Sequence, residues 1–301
     1  MSSGKSAWPT LLLPVLISGC ASMSQFSSSD IQFGSRQNAG LIEHDPIREA
    51  SGLVVSRDNA NVLWTHNDSG VPALYAVNTR GEHLGVYILD GCENSDWEDI
   101  TLAEGAGLER DYLYVGAIGD NKRQRKTRSI CRILEPRVHA DQEPVTQRIS
   151  DVEVMNFRYP DGSHDAETLM ADPVSDALYI ISKRVTPAVV YRLPLAFPEQ
   201  RLITADRVAE LPWKYIVGGD ISRSGEEVLV KTYTAIYYWH RLPGVSLQET
   251  FRQRPETVPY IWEPGGEAVA WDTVGNGYYT VSEENLGLQA RLYFYPRLPV
   301  K

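Results

Sequence analysis

The stretch Asp96-Trp97-Glu98-Asp99-Ile100-Thr101-Leu102 decides the fold of this 301-residue chain, because versions of it recur. Each version begins with an acidic residue and continues into a short segment typical of a β-strand. The other four are Glu49-Ala50-Ser51-Gly52-Leu53, Glu167-Thr168-Leu169-Met170-Ala171, Asp220-Ile221-Ser222-Arg223-Ser224 and Glu267-Ala268-Val269-Ala270-Trp271. Self-similarity of this kind is typical of architectures in which each repeat forms one supersecondary unit. The sequence therefore predicts five repeats of one all-β unit.

Each repeat holds about four short segments of strand character, separated by Gly, Pro, Asn or Asp. The fifth repeat lacks a fourth segment, and a spare one stands at residues 31–33 or 40–43. A β-propeller closes in this way, and closure removes open sheet edges. We therefore predict a single five-bladed β-propeller whose ring is closed by N- and C-terminal strands. Six blades result if residues 140–159 hide a degenerate repeat, and a pair of β-sandwiches is the alternative fold.

Two finer assignments follow from the strand pattern. Residues 248–252 are expected to form the fourth strand of the fourth repeat. Residues 136–150 are expected to form a loop excursion, because the fourth strand of the second repeat comes late, near residues 152–159.

The N-terminus has the features of a lipoprotein signal. Lys5 precedes a short apolar run that ends at Ile17-Ser18-Gly19-Cys20, and the run is far shorter than the roughly 20 residues of a spanning helix. The small residues before Cys20 resemble a lipobox, so Cys20 is expected to carry the lipid. An ordinary signal peptide cleaved nearby is the alternative. The expected domains are a signal at 1–19, a flexible Ser-rich tether at 20–32 and the propeller at 33–301.

These features predict a location and exclude some partners. Ala21 follows Cys20, which favours an outer-membrane lipoprotein that faces the periplasm or the cell surface and meets the bilayer through its acyl anchor. The formal net charge of −10 argues against nucleic acid as a partner and suits cation binding. We expect a monomer. Cys92 and Cys131 either pair in this oxidising compartment or remain thiols.

The acids that open the repeats are candidate site residues. Strands one and two of a blade are antiparallel, so the start of one lies beside the end of the other. Two five-membered sets should therefore meet at one mouth of the central channel. The first set is Glu49, Glu98, Glu167, Asp220 and Glu267, and the second is Asp68, Asp120, Lys183, Lys231 and Glu283.

The signs of these charges are uneven around the expected ring. Lys183 and Lys231 can neutralise the acids of repeats three and four. Carboxylates alone occupy repeats five, one and two, namely Glu49, Asp68, Glu98, Asp120, Glu267 and Glu283. Such oxygen ligands suit Ca²⁺ or Mg²⁺, and Asn67, Asn121 and Asn285 could add neutral oxygens. In the alternative interpretation, the acids accept backbone N–H groups and set the register between blades.

The His and Ser residues give weaker indications. Ser69 is outside any nucleophile elbow, which argues against a serine hydrolase. His66 is expected to be structural, whereas His164 is expected on the rim and is a candidate for acid–base work. Asp99 is expected to be structural.

Glu49-Ala50-Ser51-Gly52-Leu53, Trp64-Thr65-His66-Asn67-Asp68-Ser69-Gly70, Asp96-Trp97-Glu98-Asp99 and Ile118-Gly119-Asp120-Asn121 resemble a group of bacterial secreted and lipoprotein β-propellers. Asp165-Ala166-Glu167-Thr168-Leu169 and Tyr179-Ile180-Ile181-Ser182-Lys183 are similar to units of phytase-like and esterase-like propellers. That resemblance implies a divalent cation at the channel mouth and hydrolysis of phosphate esters or lactones. It implies ligand roles for Glu49, Glu98, Glu167 and Glu267, and anion contacts for Lys183 and Lys231. The chain departs from the phytase pattern, because it lacks a full calcium cluster and has Asp220 in place of Glu.

Two functions follow from the sequence. The first is a binding module that takes a small anionic ligand, a glycan or an envelope partner. The second is a metal-dependent hydrolase of small anionic esters, in which Lys183 and Lys231 hold the substrate and Glu98 or Asp120 takes the proton.

Overall fold

The computed structural model describes Met1 and residues 32–43, 46–105, 110–284 and 289–299. The expected signal sequence, the lipidated Cys20, nearly all of the tether and the candidate ligand Asn285 lie outside these residues. In the described part of the chain, no helix has both the length and the apolar character needed to span a membrane.

Two short strands open the described chain, β1 (Gln32–Phe33) and β2 (Gln37–Leu41). The strands of the five blades follow in chain order, and each blade is a sheet of four or five strands. Blade 1 contains β3 (Ala50–Val55), β4 (Val62–Asn67), β5 (Ala73–Asn78) and β6 (His83–Leu89). Blade 2 contains β7 (Asp99–Glu104), β8 (Asp111–Ala117) and β9 (Arg128–Leu134). The chain then forms β10 (Val145–Ile149), an edge strand of the blade 1 sheet, before β11 (Glu153–Arg158) completes blade 2.

Blade 3 contains β12 (Ala166–Asp172), β13 (Ala177–Ser182) and β14 (Ala188–Pro194). The chain then forms β15 (Ile203–Thr204), an edge strand of the blade 2 sheet, before β16 (Asp206–Leu211) completes blade 3. Blade 4 contains β17 (Ile216–Ile221), β18 (Glu227–Thr232) and β19 (Ile236–His240), then the short helix α1 (Leu247–Thr250), and last β20 (Glu256–Val258). Blade 5 contains β21 (Gly266–Trp271), β22 (Gly277–Ser282) and β23 (Arg291–Leu298).

The ring is closed, and the predicted fold is confirmed. The innermost strands contact one another in the cyclic order β3, β7, β12, β17, β21 and back to β3. Both N-terminal strands, β1 and β2, pair antiparallel with β23, so blade 5 is assembled from the two ends of the chain. The six-blade alternative is excluded, because β10 joins the outer edge of blade 1, where it runs parallel to β6.

Two assignments are wrong. Residues 136–150 are expected to form a loop, but Val145–Ile149 form β10 on the edge of blade 1. Residues 248–252 overlap helix α1 instead of forming the outer strand of blade 4, which is β20. Ser246 and Glu249 explain the difference, because they form a reciprocal capping box that stabilises the first helical turn.

Burial between blades explains why the innermost strands are almost wholly apolar. Five clusters of buried residues among the described positions lie at the five contacts between neighbouring blades. A strand packed on both faces loses the alternation of polar and apolar residues. The disulfide Cys92–Cys131 adds a covalent link between the segment after β6 and β9, and so joins blades 1 and 2.

Two aspartates, the buried Asp99 and the partly buried Asp220, clamp neighbouring innermost strands. Asp99 accepts hydrogen bonds from the backbone N–H groups of Ile100 and of Leu169 in blade 3, each at 2.9 Å. Asp220 makes the same pair of contacts, at 2.8 Å each, to Ile221 and to Trp271 in blade 5. The structural role expected for Asp99 is therefore observed. Asp220 takes the register-setting role that was the alternative to a ring of metal ligands.

Candidate metal site at the channel mouth

β-Bulges at the start of the innermost strands place the side chains of the candidate site. The pairing of β12 with β13 shifts between Ala166 and Thr168, which leaves Glu167 in the bulge. The same shift in blade 5 leaves Glu267 in the bulge, and in blade 4 it leaves Val217. A bulged residue has no partner on the neighbouring strand, and its side chain does not follow the regular alternation between the two faces of the sheet.

The channel mouth, defined here by Glu98, Glu167, Glu267 and Lys183, therefore has fewer acids than the sequence predicts. Blade 4 contributes Val217 at the bulge, because Asp220 lies three residues further along β17. Blade 1 contributes Ser51, whose hydroxyl donates to Glu267 Oε2 at 3.4 Å. The acids of the predicted first set meet only from blades 2, 3 and 5.

Lys183 is held between two of these acids. Its Nζ forms an ion pair with Glu167 Oε1 and lies 3.6 Å from Glu267 Oε1. The Tyr233 hydroxyl donates to the same Glu267 oxygen at 2.7 Å. Burial disfavours the charged ammonium, but the two carboxylates outweigh burial and raise the pKa of Lys183. Lys183 is thus a permanent cation that neutralises part of the cluster.

Glu98, Asp165 and Glu167 form an acidic triad that could hold a metal ion. Each offers one carboxylate oxygen, and these oxygens all lie within 4.8 Å of one another. All three residues are buried, and Oε2 of Glu167 has no hydrogen-bond partner. Among the described residues, the Glu98 carboxylate makes no hydrogen bond or ion pair. Buried oxygens with unused acceptor capacity are the donors that a hard cation requires.

The backbone around the triad is built to fit these carboxylates. Asp165 accepts a 2.7 Å bond from the backbone N–H of Asp120 and a 2.6 Å bond from Arg184 Nε. Gly119 has no side chain where a Cβ atom would lie 2.0 Å from Glu98 Oε1. Any larger residue at position 119 would displace Glu98, so glycine is a requirement of the site.

Electrostatics makes full ionisation of the triad costly without a cation. Burial, together with the charges of Glu167, Asp96 and Glu267, raises the pKa of Glu98 well above its usual range. Burial and Glu267 also raise the pKa of Glu167, although Lys183 opposes the shift. At neutral pH the cluster must either keep protons or bind a cation.

A second group of acids lies nearer the surface at the same end of the ring. Burial and a hydrogen bond with Glu49 raise the pKa of Asp68 to about 7. The hydrogen bonds from Asp68 and Ser69 lower the pKa of Glu49, which is exposed. Burial and the charge of Glu267 raise the pKa of Glu283 to about 8. Glu49, Asp68 and Glu283 are not among the carboxylates that converge in the acidic triad.

The remaining sequence candidates have partners elsewhere. The Asp120 carboxylate is buried and accepts a bond from Arg128 Nη2 at 2.6 Å, so only its backbone N–H contacts the triad. His164 Nε2 lies 3.1 Å from Asp161 Oδ1, and its ring packs on two tyrosines. Lys231 is completely buried, donates to the carbonyl of Gly266 and lies 4.7 Å from the centre of the Tyr260 ring. None of these three side chains contacts the triad.

The expected structural role of His66 matches its position. The ring is completely buried, and it packs edge-on against Trp97 at 5.7 Å between centroids. Burial lowers the pKa of His66 to about 4, so the imidazole is neutral at physiological pH.

Sequence reasoning missed Asp165, Ser51 and Tyr233 as neighbours of the site. A signal for Asp165 was available, because Asp96-Trp97-Glu98 and Asp165-Ala166-Glu167 share the spacing Asp-x-Glu before an innermost strand. Ser51 and Tyr233 are brought to Glu267 only by the closure of the ring between blades 4, 5 and 1.

No protein-family model matches the chain, and no curated protein matches it. Its structure is similar to that of a protein from Xanthomonas campestris described as a gluconolactonase, with a TM-score of 0.45, 11% identity, and coverage of 79% of this chain and 69% of that one. It is also similar to a chain of a nidogen/laminin complex, with a TM-score of 0.48, 12% identity, and coverage of 86% and 89%. These distant likenesses carry no conclusion about function, and the fold rests on the observed ring of five blades.

Proposed function

We propose that the protein is a divalent-cation-binding β-propeller that acts as a ligand-binding module. The ion would be held by the acidic triad of Glu98, Asp165 and Glu167. The observation that supports this proposal is the Oε2 atom of Glu167, which is buried without a partner among oxygens of two further carboxylates. A buried acceptor left without a partner costs about 1–3 kcal/mol, and a bound cation would remove that cost.

The balance of charge around the triad supports a cation of charge +2. Lys183 is shared between Glu167 and Glu267, and Arg184 pairs with Asp165. Among the described residues Glu98 forms no ion pair, although the charge of Lys183 lowers its pKa in part. All the donors are oxygens, which favours Ca²⁺ or Mg²⁺ over zinc or copper. A ligand that brings its own oxygen could then share the ion.

Titration with single metal ions tests this proposal. Ca²⁺ or Mg²⁺ at a hundredfold excess over Kd should stabilise the fold by about 2.7 kcal/mol. For a domain of this size that corresponds to a rise in Tm of roughly 5–10 °C. Glu167→Gln should abolish the rise, whereas the exposed Glu143→Gln should keep it. If the purified protein contains no metal and neither ion changes Tm or gives a binding isotherm, the proposal is wrong.

The Glu98 carboxyl favours a second candidate function. It combines a raised pKa with the absence of a hydrogen-bond partner, next to the proposed ion. A carboxylate whose pKa is raised can accept a proton from a water molecule that the ion polarises, which suits hydrolysis of a small lactone or phosphate ester. In this mechanism Glu98 would take the proton from that water. Lys183 would orient Glu167, and it would not bind the substrate, because its ammonium is already engaged by two carboxylates.

An activity panel separates the two functions. The protein with Ca²⁺, Mg²⁺ or Mn²⁺ should hydrolyse a lactone or a phosphate ester if it is an enzyme, and Glu98→Gln, which alters one of the three proposed ligands, should remove the activity. Metal binding without turnover on any substrate of the panel would support the binding module alone.

The N-terminal signal adds a location to the proposal. We infer that the propeller is carried on the outer membrane by lipidated Cys20, as its resemblance to bacterial lipoproteins implies.

A further inference from the structure

A second cavity lies on blade 5, away from the acidic triad. This blade-5 pocket has a volume of about 580 Å³ and lies between the N-terminal strands and the segment that precedes β21. The lining residues that concern its chemistry are Arg36, Trp262, Glu263, Glu283, Gln289 and Arg291. A volume of this size falls in the range of sites for small molecules.

Glu263 gives the pocket a buried acceptor without a partner. The residue is 2% exposed, and its Oε1 accepts a 2.8 Å bond from the Thr280 hydroxyl. Its Oε2 has no partner in the described structure. Glu263 lines the cavity, and the charge of the buried Lys231 favours its ionised form. A buried carboxylate oxygen that lacks a hydrogen-bond donor has acceptor capacity left for a ligand.

Arg36 gives the pocket a rigid donor beside that acceptor. Its guanidinium donates to the carbonyl of Ile261 at 3.4 Å and lies 4.1 Å from the centre of the Tyr293 ring. Its Nη1 is 3.9 Å from Glu263 Oε1. A guanidinium has five N–H donors, so several remain for a ligand. The Arg36–Glu263 pair therefore offers a donor and an acceptor side by side.

Trp262 provides an aromatic surface at the same pocket. The residue is 59% exposed, although its indole is among the largest apolar groups of the chain. Its neighbour Ile261 is also exposed, and so is Leu41, which lines the pocket. Exposed aromatic groups beside polar ones mark a surface for ligands with both apolar and polar faces.

We propose that the blade-5 pocket binds a neutral carbohydrate. Each sugar hydroxyl both donates and accepts a hydrogen bond, which matches the adjacent Arg36 donor and Glu263 acceptor. The apolar C–H face of a pyranose ring matches the Trp262 indole. Arg36 and Glu263 lie 3.9 Å apart in the pocket, so a charged ligand would meet a group of its own sign next to its partner. No residue of the acidic triad lines this pocket.

Ligand-observed NMR with the full-length protein tests the proposal. The probes are the methyl glycosides of glucose, galactose, mannose and N-acetylglucosamine, each at about 10 mM, where a millimolar Kd is detected. At least one probe should give a saturable signal. Trp262→Ala, which alters an exposed side chain and should leave Tm unchanged, should weaken binding at least tenfold. Glu263→Gln should weaken binding by a similar factor. Tyr215→Ala, which removes an exposed aromatic side chain just before β17, should leave binding unchanged.

Several results would overturn the proposal. One is that no glycoside binds, and another is that Trp262→Ala binds with unaltered affinity. A third is that free glycine or glutamate binds while sugars do not, because the pocket would then recognise a zwitterion. Titration of Ca²⁺ into Trp262→Ala keeps this test apart from the cation site, which the substitution should not affect.

Discussion

Removal of the Asp99 carboxylate tests whether a single clamp holds blades 2 and 3 in register. Asp99→Ala leaves two buried N–H groups, those of Ile100 and Leu169, without their acceptor. Each unsatisfied group costs about 1–3 kcal/mol. The loss of a carboxylate whose pKa is raised by burial offsets part of this cost. We therefore expect a net loss of roughly 2–4 kcal/mol, or about 5–15 °C in Tm.

Urea and thermal unfolding provide the measurement, with the exposed Asp151→Ala as control. Asp220→Ala should destabilise the fold by a similar amount, because it removes one bond within blade 4, to Ile221, and one between blades 4 and 5, to Trp271. Only Asp99→Ala should also weaken the proposed metal binding, since Asp99 adjoins Glu98 and its bond to Leu169 lies two residues from Glu167. If Asp99→Ala unfolds together with the control, the clamp does not stabilise the ring.

Three further predictions concern pH, the disulfide and the anchor. In EDTA, Tm should fall as the pH rises from 5 to 8. Burial raises the pKa of Asp220 to about 7 and that of Glu283 to about 8, so the folded state retains protons that the unfolded chain has lost. A Tm that rises over this range would contradict these pKa shifts. Replacement of both Cys92 and Cys131 by Ser should cost about 4 kcal/mol, the loop-closure value for a separation of 39 residues, measured by urea unfolding; an unchanged midpoint would show that the bond contributes nothing. Cys20→Ser should move the protein from the membrane pellet to the soluble fraction, and a variant that still sediments would refute lipid anchoring.

Much of the fold could be predicted because its determinants are local. The five acid-plus-strand segments identified the innermost strands, and the missing outer strand of the last repeat indicated how the ring closes. Helix α1 was missed, since its short apolar pattern also fits a strand and only the reciprocal contacts of Ser246 and Glu249 decide between the two. The edge strand β10 was also missed, because its pairing with β6 depends on a neighbouring blade.

The candidate site was only partly predictable, because its geometry depends on bulges and on ring closure. The sequence by itself determined an acidic, repeated, all-β chain with Glu98, Glu167 and Glu267 at corresponding strand starts. Only the tertiary structure decided that Asp165 completes the triad, that Asp220 is a clamp and that Lys231 is buried and bonded to the carbonyl of Gly266. The physical reason is that a one-residue change in strand register turns a side chain to the opposite face. An acid near the start of the innermost strand can therefore face the channel in one blade. In another blade, an acid at a similar position can face the backbone of the neighbouring blade.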